Sequence, residues 1–328
     1  MEPLKAASSA DPYPYYAELV AKRPFYKEGE LWIASSAAAV TAVFESELCR
    51  VRPPAEPVPR ALLGTPVGEM FRQMARMNDG AAHRAVKPLL VELGQANAAQ
   101  AAAACAEELS EKPIGDFIFQ LAPAAIARLF GIEIPAFLAR DLARAVTLEQ
   151  IERGGAAYLR IREALAGAQG GLMAALLRNA KDPEPVLANV ASLFFQIYDA
   201  TAGLIGNALL APRAEPRLAV LETLRWDPPI QNTRRFVAES GVLFGQEVSE
   251  GDVILVCLAA ANRDPAREES VVFSFGAGIH ACPGRNLAVE IATAGVSQLA
   301  GVELPAFTYL QSPNARVPLF GAVSNESL

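Results

Sequence analysis

One stretch constrains this chain more than any other: residues 273–290, FSFGAGIHACPGRNLAVE. Three glycines, Gly276, Gly278 and Gly284, crowd around a single cysteine, Cys282. Glycine tolerates positive φ and close backbone approach, so a loop of this kind can turn its N–H groups toward a thiolate sulfur. Hydrogen bonds to the sulfur tune a metal–thiolate bond. The residues after Pro283 and Gly284, RNLAVEIATAGVSQLA, have good helix character, which places Cys282 at the entrance to a helix N-terminus. There the positive end of the helix dipole favours the thiolate. Cys49, Cys105 and Cys257 sit in apolar or helical surroundings without a glycine cluster and are assigned to the core.

Composition leaves few other side chains able to hold a metal. Only two histidines, His83 and His280, occur in 328 residues, so a multi-histidine metal site is nearly impossible. The four cysteines form no CxxC pair, which excludes a disulfide scaffold and points to a reducing cytoplasm. Hydrophobic residues make up 52% and charged residues 20%, enough for a sizeable core and unlike a disordered chain or a coiled coil. A net charge of -7 and a pI of 5.1 give no global basic footprint, and no nucleic-acid partner is expected. Length alone, at about 150 residues per domain, would give roughly two domains.

The N-terminus has no basic region followed by an apolar one, so no signal peptide is expected. Residues 190–211 are long and apolar enough to span a bilayer, but Gln196, Asp199 and Asn207 would be costly in lipid. The expectation is a central helix of a large soluble helical protein, with no membrane span and a cytoplasmic location.

Helical spacing dominates the rest. Helices are expected over 37–44, in 64–93, over 101–109, over 117–129 with Gly131 as the stop, over 141–151, over 156–177 with glycine interruptions, over 190–211 and over 214–225. Pro183 and Pro185 separate the long apolar helix from what precedes it, and Asp227-Pro228-Pro229 stops the last one. Residues 31–35 are a candidate strand, and the proline-rich 52–60 a loop. After 230 the period changes, and 234–237, 242–244 and 253–258 are expected as strands. The tail after Gly301 is expected to be irregular. No repeat and no sharp shift in composition marks a domain boundary. The fold class is therefore mainly α with a small β-rich part.

The spacing Phe275-x-x-Gly278-x-His280-x-Cys282-x-Gly284 resembles the haem-binding loop of the cytochrome P450 superfamily. A second motif, Glu222-Thr-Leu-Arg225, resembles the family's ExxR pair, whose i, i+3 spacing puts both side chains on one helical face. It precedes the cysteine loop, with a Pro-Pro turn and short strands between, which is the family's order. The resemblance runs from Asp11 to near the C-terminus, is strongest from Asp199 onward, and is weak between about 95 and 185.

The resemblance implies a single haem-thiolate domain over 1–328, with haem b as cofactor and Cys282 as its iron ligand. In that family the thiolate pushes electron density onto the iron and favours O–O cleavage. Phe275, Gly276 and Gly284 would belong to the loop around the sulfur, and His280 would meet a haem propionate. Glu222 and Arg225 would support the loop without being catalytic. Arg235, on the strand after the Pro-Pro turn, would meet a propionate. His83 and Lys87, one turn apart on a helix crossing the haem edge, could do so together. Lys87 stands where the family more often has arginine, replacing a planar fork with a point charge. Ala261-Asn-Arg-Asp-Pro265 resembles another family segment just before the loop.

The sequence also departs from the family. Its helix over the oxygen site usually reads small residue, Gly, any residue, acid, Thr, whereas this chain has Gln196-Ile197-Tyr198-Asp199-Ala200-Thr201. Asp199 keeps the acid, Ala200 replaces the hydroxyl residue, and Thr201 points about 100° further around the helix. Ordinary hydroxylation then needs a substrate hydroxyl or a water in place of that side chain, and phenol coupling, ring closure or desaturation become alternatives. Little sequence separates Asn262 from Phe275, a shortened meander in which Arg267 is the nearby candidate to complete the ExxR network. The region before Asp199 is shortened too. A trimmed substrate roof would suit a large substrate, a peptide, or one held on a carrier protein.

The leading expectation is a haem-thiolate oxidase of specialised metabolism, fed by a separate ferredoxin-type partner docking near Cys282 and Arg285. Two other readings stand beside it: a catalytically reduced haem-binding accessory protein that recruits a partner, and a peroxide-driven peroxygenase.

Overall fold

Residues 183–210 form one helix of 28 residues, Pro183–Leu210, that runs through the protein. Asp182 caps it by accepting a hydrogen bond from the Glu184 N–H. Pro183 and Pro185 lie in the first turn, where backbone N–H groups have no intrahelical partner. The prolines therefore start this helix and do not stand outside it. It packs against Ile114–Phe130, Phe137–Val146 and Arg285–Gln298. Gly206 lets the chain near Pro318 come close, since a Cβ there would lie 2.5 Å from the proline ring. Among the described residues this is the one helix long and apolar enough to cross a membrane. About half of that apolar stretch is buried against neighbouring helices, as in a core helix.

The computed structural model describes residues 2–211, 215–324 and 327–328. Its five-stranded sheet has the order Phe25–Glu28, Leu31–Ala34, Val253–Val256, Thr233–Val237, Cys49–Arg50. The Leu31–Ala34 and Val253–Val256 strands are parallel, and the other pairs antiparallel. Two hairpins stand apart: Gly241–Leu243 with Gln246–Val248, and Phe307–Tyr309 with Pro318–Phe320. The second corrects the expectation of an irregular tail. Phe320, fully buried in the helical core, is what makes pairing worthwhile there.

Other boundaries shift for local reasons. The expected strand over 253–258 stops at Val256, and Leu258–Asn262 is a short helix. The helical spacing in 64–93 divides into Pro66–Gln73, a 3-10 turn Ala75–Met77 and Gly80–Gly94. The expected helix over 141–151 is broken: Phe137–Val146 ends, and Ile151–Ala166 begins after a turn in which Leu148 and Gln150 take positive φ. The two helices cross so closely that a Cβ on Gly154 would lie 2.1 Å from Ala145 Cβ, and this contact turns the chain back. Pro216–Trp226 matches the expected helix over 214–225, with Ala214 itself outside the described residues.

Apolar side chains form a large helical core and a smaller one on the sheet. The cysteine loop bridges them. Phe273 at its start is buried with Trp32, Val40 and Ile254, while Leu287 and Ile291 just beyond it are buried among the helices.

Candidate haem-thiolate site

Cys282 lies between the 3-10 turn Gly278–His280 and the helix Arg285–Gln298, with Gly284 at the helix N-cap position. Gly276 and Gly278 have φ of 67° and 65°, a region L side chains rarely enter, so the loop needs glycine at both. The Cys282 N–H donates to the Phe275 carbonyl at 2.8 Å, folding the loop back on itself. The Gly284 N–H is directed at the Cys282 sulfur. Cys282 is exposed while Cys49, Cys105 and Cys257 are buried, as the sequence led us to expect. Yet protein surrounds the thiol on most sides, and this crowding pushes it up from its ordinary value. The Gly284 N–H and the charges of Arg76 and Lys87 pull it back. The thiol thus keeps open surface on one side while protein crowds it on the others.

Five basic side chains and one carboxyl gather around this loop. Burial lowers Arg235 to about 10, and its guanidinium lies 4.8 Å from the Phe44 ring. Arg76 is held down by burial as well, and its charge acts on both Cys282 and Arg235. Lys87 donates to the Ala281 carbonyl of the cysteine loop. His83 is buried with its ring 4.4 Å from that of His280, and desolvation lowers it, with His280 and Lys87 adding to the effect. His280 Nε2 is 2.9 Å from Asp79 Oδ1. Burial pushes the Asp79 carboxyl up, but hydrogen bonds from His280 and the Val51 N–H outweigh it and hold Asp79 below its ordinary range. The structure thus brings His83, Lys87, Arg235 and His280 to one place, with part of their hydrogen bonding already committed to protein.

A separate network supports the loop from below. Asn262, fully buried, accepts from the Phe273 N–H at 2.6 Å and donates to the Leu224 carbonyl and Ser274 Oγ. Arg267, also buried, donates to the carbonyls of Asn262, Glu268, Glu269 and Val271. The short segment before the loop is wrapped around this one guanidinium. Glu222 and Arg225 share a face of Pro216–Trp226, as their spacing requires. Arg225 Nε is buried without a hydrogen-bond partner, its guanidinium 4.4 Å from the Trp226 ring. On the other side of the loop Gly94, closing the Gly80–Gly94 helix, comes so near that a Cβ would lie 1.8 Å from the Pro283 carbonyl oxygen.

Asp199, Ala200 and Thr201 separate on the long helix. Asp199 and Ala200 keep partial exposure, while Thr201 is buried in the core, so Thr201 does not take the place of the missing hydroxyl. Asp199 Oδ1 is buried with no hydrogen-bond partner, and desolvation pushes its carboxyl above the ordinary range. Two surface clefts, about 220 Å³ beside Glu133 and Arg160 and about 520 Å³ beside Pro113 and Phe320, are lined by none of these residues.

Arg76, Asp79 and Asn262 were missed as site residues. Asp79 and Asn262 stand inside segments whose order resembled the family's, so position was the available signal. Nothing local distinguishes Arg76 from a surface arginine.

The site fits a flat macrocycle with two carboxylates: one reachable thiol, and several cations and ring nitrogens beside it. No protein-family model matches the chain. Cytochrome P450 107B1 of Saccharopolyspora erythraea is 35% identical over 159 residues, covering 39% of each chain. The match takes in only about a third of the length of such curated relatives, 32% for the first of them. The structure of CalO2 superposes with a TM-score of 0.81 over 98% of this chain and 97% of that one, at 24% identity. P450BioI in complex with an acyl carrier protein carrying hexadec-9Z-enoic acid gives 0.79 over 96% and 98%, at 22% identity. The architecture is the cytochrome P450 fold, helical with small sheets, across nearly the whole chain. The chain is thus similar in sequence to cytochrome P450 proteins over about a third of its length and shares their fold over nearly all of it.

Proposed function

We propose that this chain is a cytoplasmic, single-domain haem-thiolate oxidase that uses dioxygen to oxidise an organic substrate in specialised metabolism. The observation that carries this is the Cys282 thiol: exposed yet desolvated by the surrounding protein, addressed by the Gly284 N–H, and placed at a helix N-terminus. Cys282 would ligate the iron, with Phe275, Gly276 and Gly284 shaping the loop around the sulfur. Arg235, Arg76, Lys87 and His83 would hold the propionates, while His280, tied to Asp79, positions the loop against the helix carrying His83. When bound, the haem supplies the oxygen-activating iron.

On the far side, Asp199 is the group able to hold or pass a proton, and Ala200 offers none. That favours a substrate hydroxyl or water as the missing donor, or an oxidation such as coupling or desaturation. A carrier-held substrate is consistent with the likeness to P450BioI, whose structure includes an acyl carrier protein. Electrons would come from a ferredoxin-type partner.

The test is spectroscopic. Reduced protein under carbon monoxide should give the red-shifted Soret band of thiolate ligation, and Cys282→Ala should abolish it while the fold, followed by circular dichroism, persists. Absence of the band in the parent protein sinks the proposal.

A further inference from the structure

The segment 316–327, described except for residues 325 and 326, lies against two helices that pack on each other, and glycine makes room for it on both. On Pro183–Leu210, a Cβ at Gly203 would lie 2.8 Å from the Arg316 carbonyl oxygen, and one at Gly206 would lie 2.5 Å from the Pro318 ring. On Ile114–Phe130, a Cβ at Gly115 would lie 2.8 Å from the Phe320 carbonyl oxygen and 2.8 Å from a Val323 methyl group. A side chain at any of these positions would push the segment away from its helix.

Side chains of both helices then bind the segment. Asn207 donates to the Arg316 carbonyl at 3.2 Å. The Asp116 carboxylate accepts from the Ser324 N–H at 2.9 Å and from the Ser324 hydroxyl at 2.7 Å. One turn along the same helix, Gln120 donates to Ser327 Oγ at 3.2 Å. From the other helix, the Tyr198 hydroxyl donates to the Ser327 carbonyl at 2.9 Å. Ser327 is fully buried, so both helices are tied to one enclosed residue. Tyr198 is buried as well, its ring centre 5.4 Å from that of Phe119, and a buried phenol of this kind needs its acceptor.

The tie ends where the long helix changes character. Tyr198 is buried, whereas the next two residues, Asp199 and Ala200, keep partial exposure. Successive side chains leave a helix about 100° apart, so fixing the Tyr198 ring fixes the direction in which Asp199 leaves. We propose that the segment 316–327 is a strap that positions Asp199, with Tyr198 and Ser327 as positioning residues acting through the helix. The proposal deepens the reading of Asp199 as the group that holds a proton and rests on it. The carbon monoxide band tests the haem-thiolate reading separately, and the measurements below need no turnover.

Tyr198→Phe keeps the ring and removes only the hydroxyl. In haem-loaded protein, amide hydrogen exchange is followed by mass spectrometry, and the Asp199 carboxyl is titrated by its infrared band, identified by its loss in Asp199→Asn. Tyr198→Phe should speed exchange about tenfold in peptides covering 196–202 and the strap, the factor for one lost hydrogen bond, and leave 183–190 within about twofold. The Asp199 titration should move toward the ordinary carboxyl value of about 3.9 as water reaches the group. Gln120→Ala cuts Ser327 from the other helix and should loosen the same peptides. Asn262→Ala, which weakens the fold at the cysteine loop, should leave the Asp199 titration in place. An Asp199 titration unmoved by Tyr198→Phe overturns the proposal, as does an equal shift in Asn262→Ala. So does exchange that quickens equally along the whole helix, the mark of a contact that adds only stability, or a strap left unchanged by Gln120→Ala.

Discussion

The cysteine loop and the middle of the long helix are held in opposite ways. The loop is fixed from every side. Asn262 and Arg267 bind its approach, Asp79 holds His280, Lys87 binds Ala281, and Gly94 presses on Pro283. Residues 196–201 are rigid only as helix. Among the described residues Gln196 bonds no further than Ser192 and Asp199 Oδ1 bonds to nothing, while the Ala200 side chain cannot bond. One region spends its polar groups on its own position. The other leaves the Asp199 Oδ1 acceptor unpaired among the described residues.

That contrast can be broken most forcefully at Gly94. Gly94→Ala puts a methyl group where the Pro283 carbonyl lies, and overpacking of this kind costs about 3 kcal/mol. The expected result is a lower midpoint in urea and weakened haem retention, with the long helix unaffected in hydrogen exchange. Asn262→Ala should come next. It leaves the buried Phe273 N–H unpaired, for a loss of about 2 kcal/mol by chemical denaturation. A change of under about 0.5 kcal/mol, the typical surface value, would mean the loop is not held as described.

The smallest effect belongs to the long helix, and its sign is reversed. Burial holds the Asp199 carboxyl above its ordinary range, so the folded protein binds that proton more tightly than the unfolded chain. The contribution is fully present below the unfolded carboxyl value of about 3.9 and is lost as pH rises through the folded one. Asp199→Asn removes this loss. The variant should therefore gain stability relative to the parent between acid and neutral pH, measured as unfolding midpoints at pH 4 and pH 7. A parallel pH dependence in the two proteins would contradict the assignment.

Much of the loop was legible in the residues themselves. Glycine at positions of φ near 65° and a cysteine ahead of a helix are local facts, written in a short window. The helix Pro183–Leu210 was legible as an apolar run, although its prolines proved to be its first turn. Other features depended on distant partners. The tail hairpin forms because Phe320 reaches the helical core, and the break at 147–150 because Gly154 meets Ala145. The ExxR motif shows the same limit, since spacing put Glu222 and Arg225 on one face but did not decide where the guanidinium of Arg225 would lie.

By itself the sequence carried the resemblance to cytochrome P450 proteins, the cysteine, and the missing hydroxyl at position 200, because each is a matter of residue identity at a fixed spacing. Only the tertiary structure decided which cations gather at Cys282, that Thr201 turns into the core, and that Asp199 Oδ1 is buried without a partner among the described residues. Local chemistry is carried along the chain, but desolvation and charge pairing depend on segments that folding brings together from far apart.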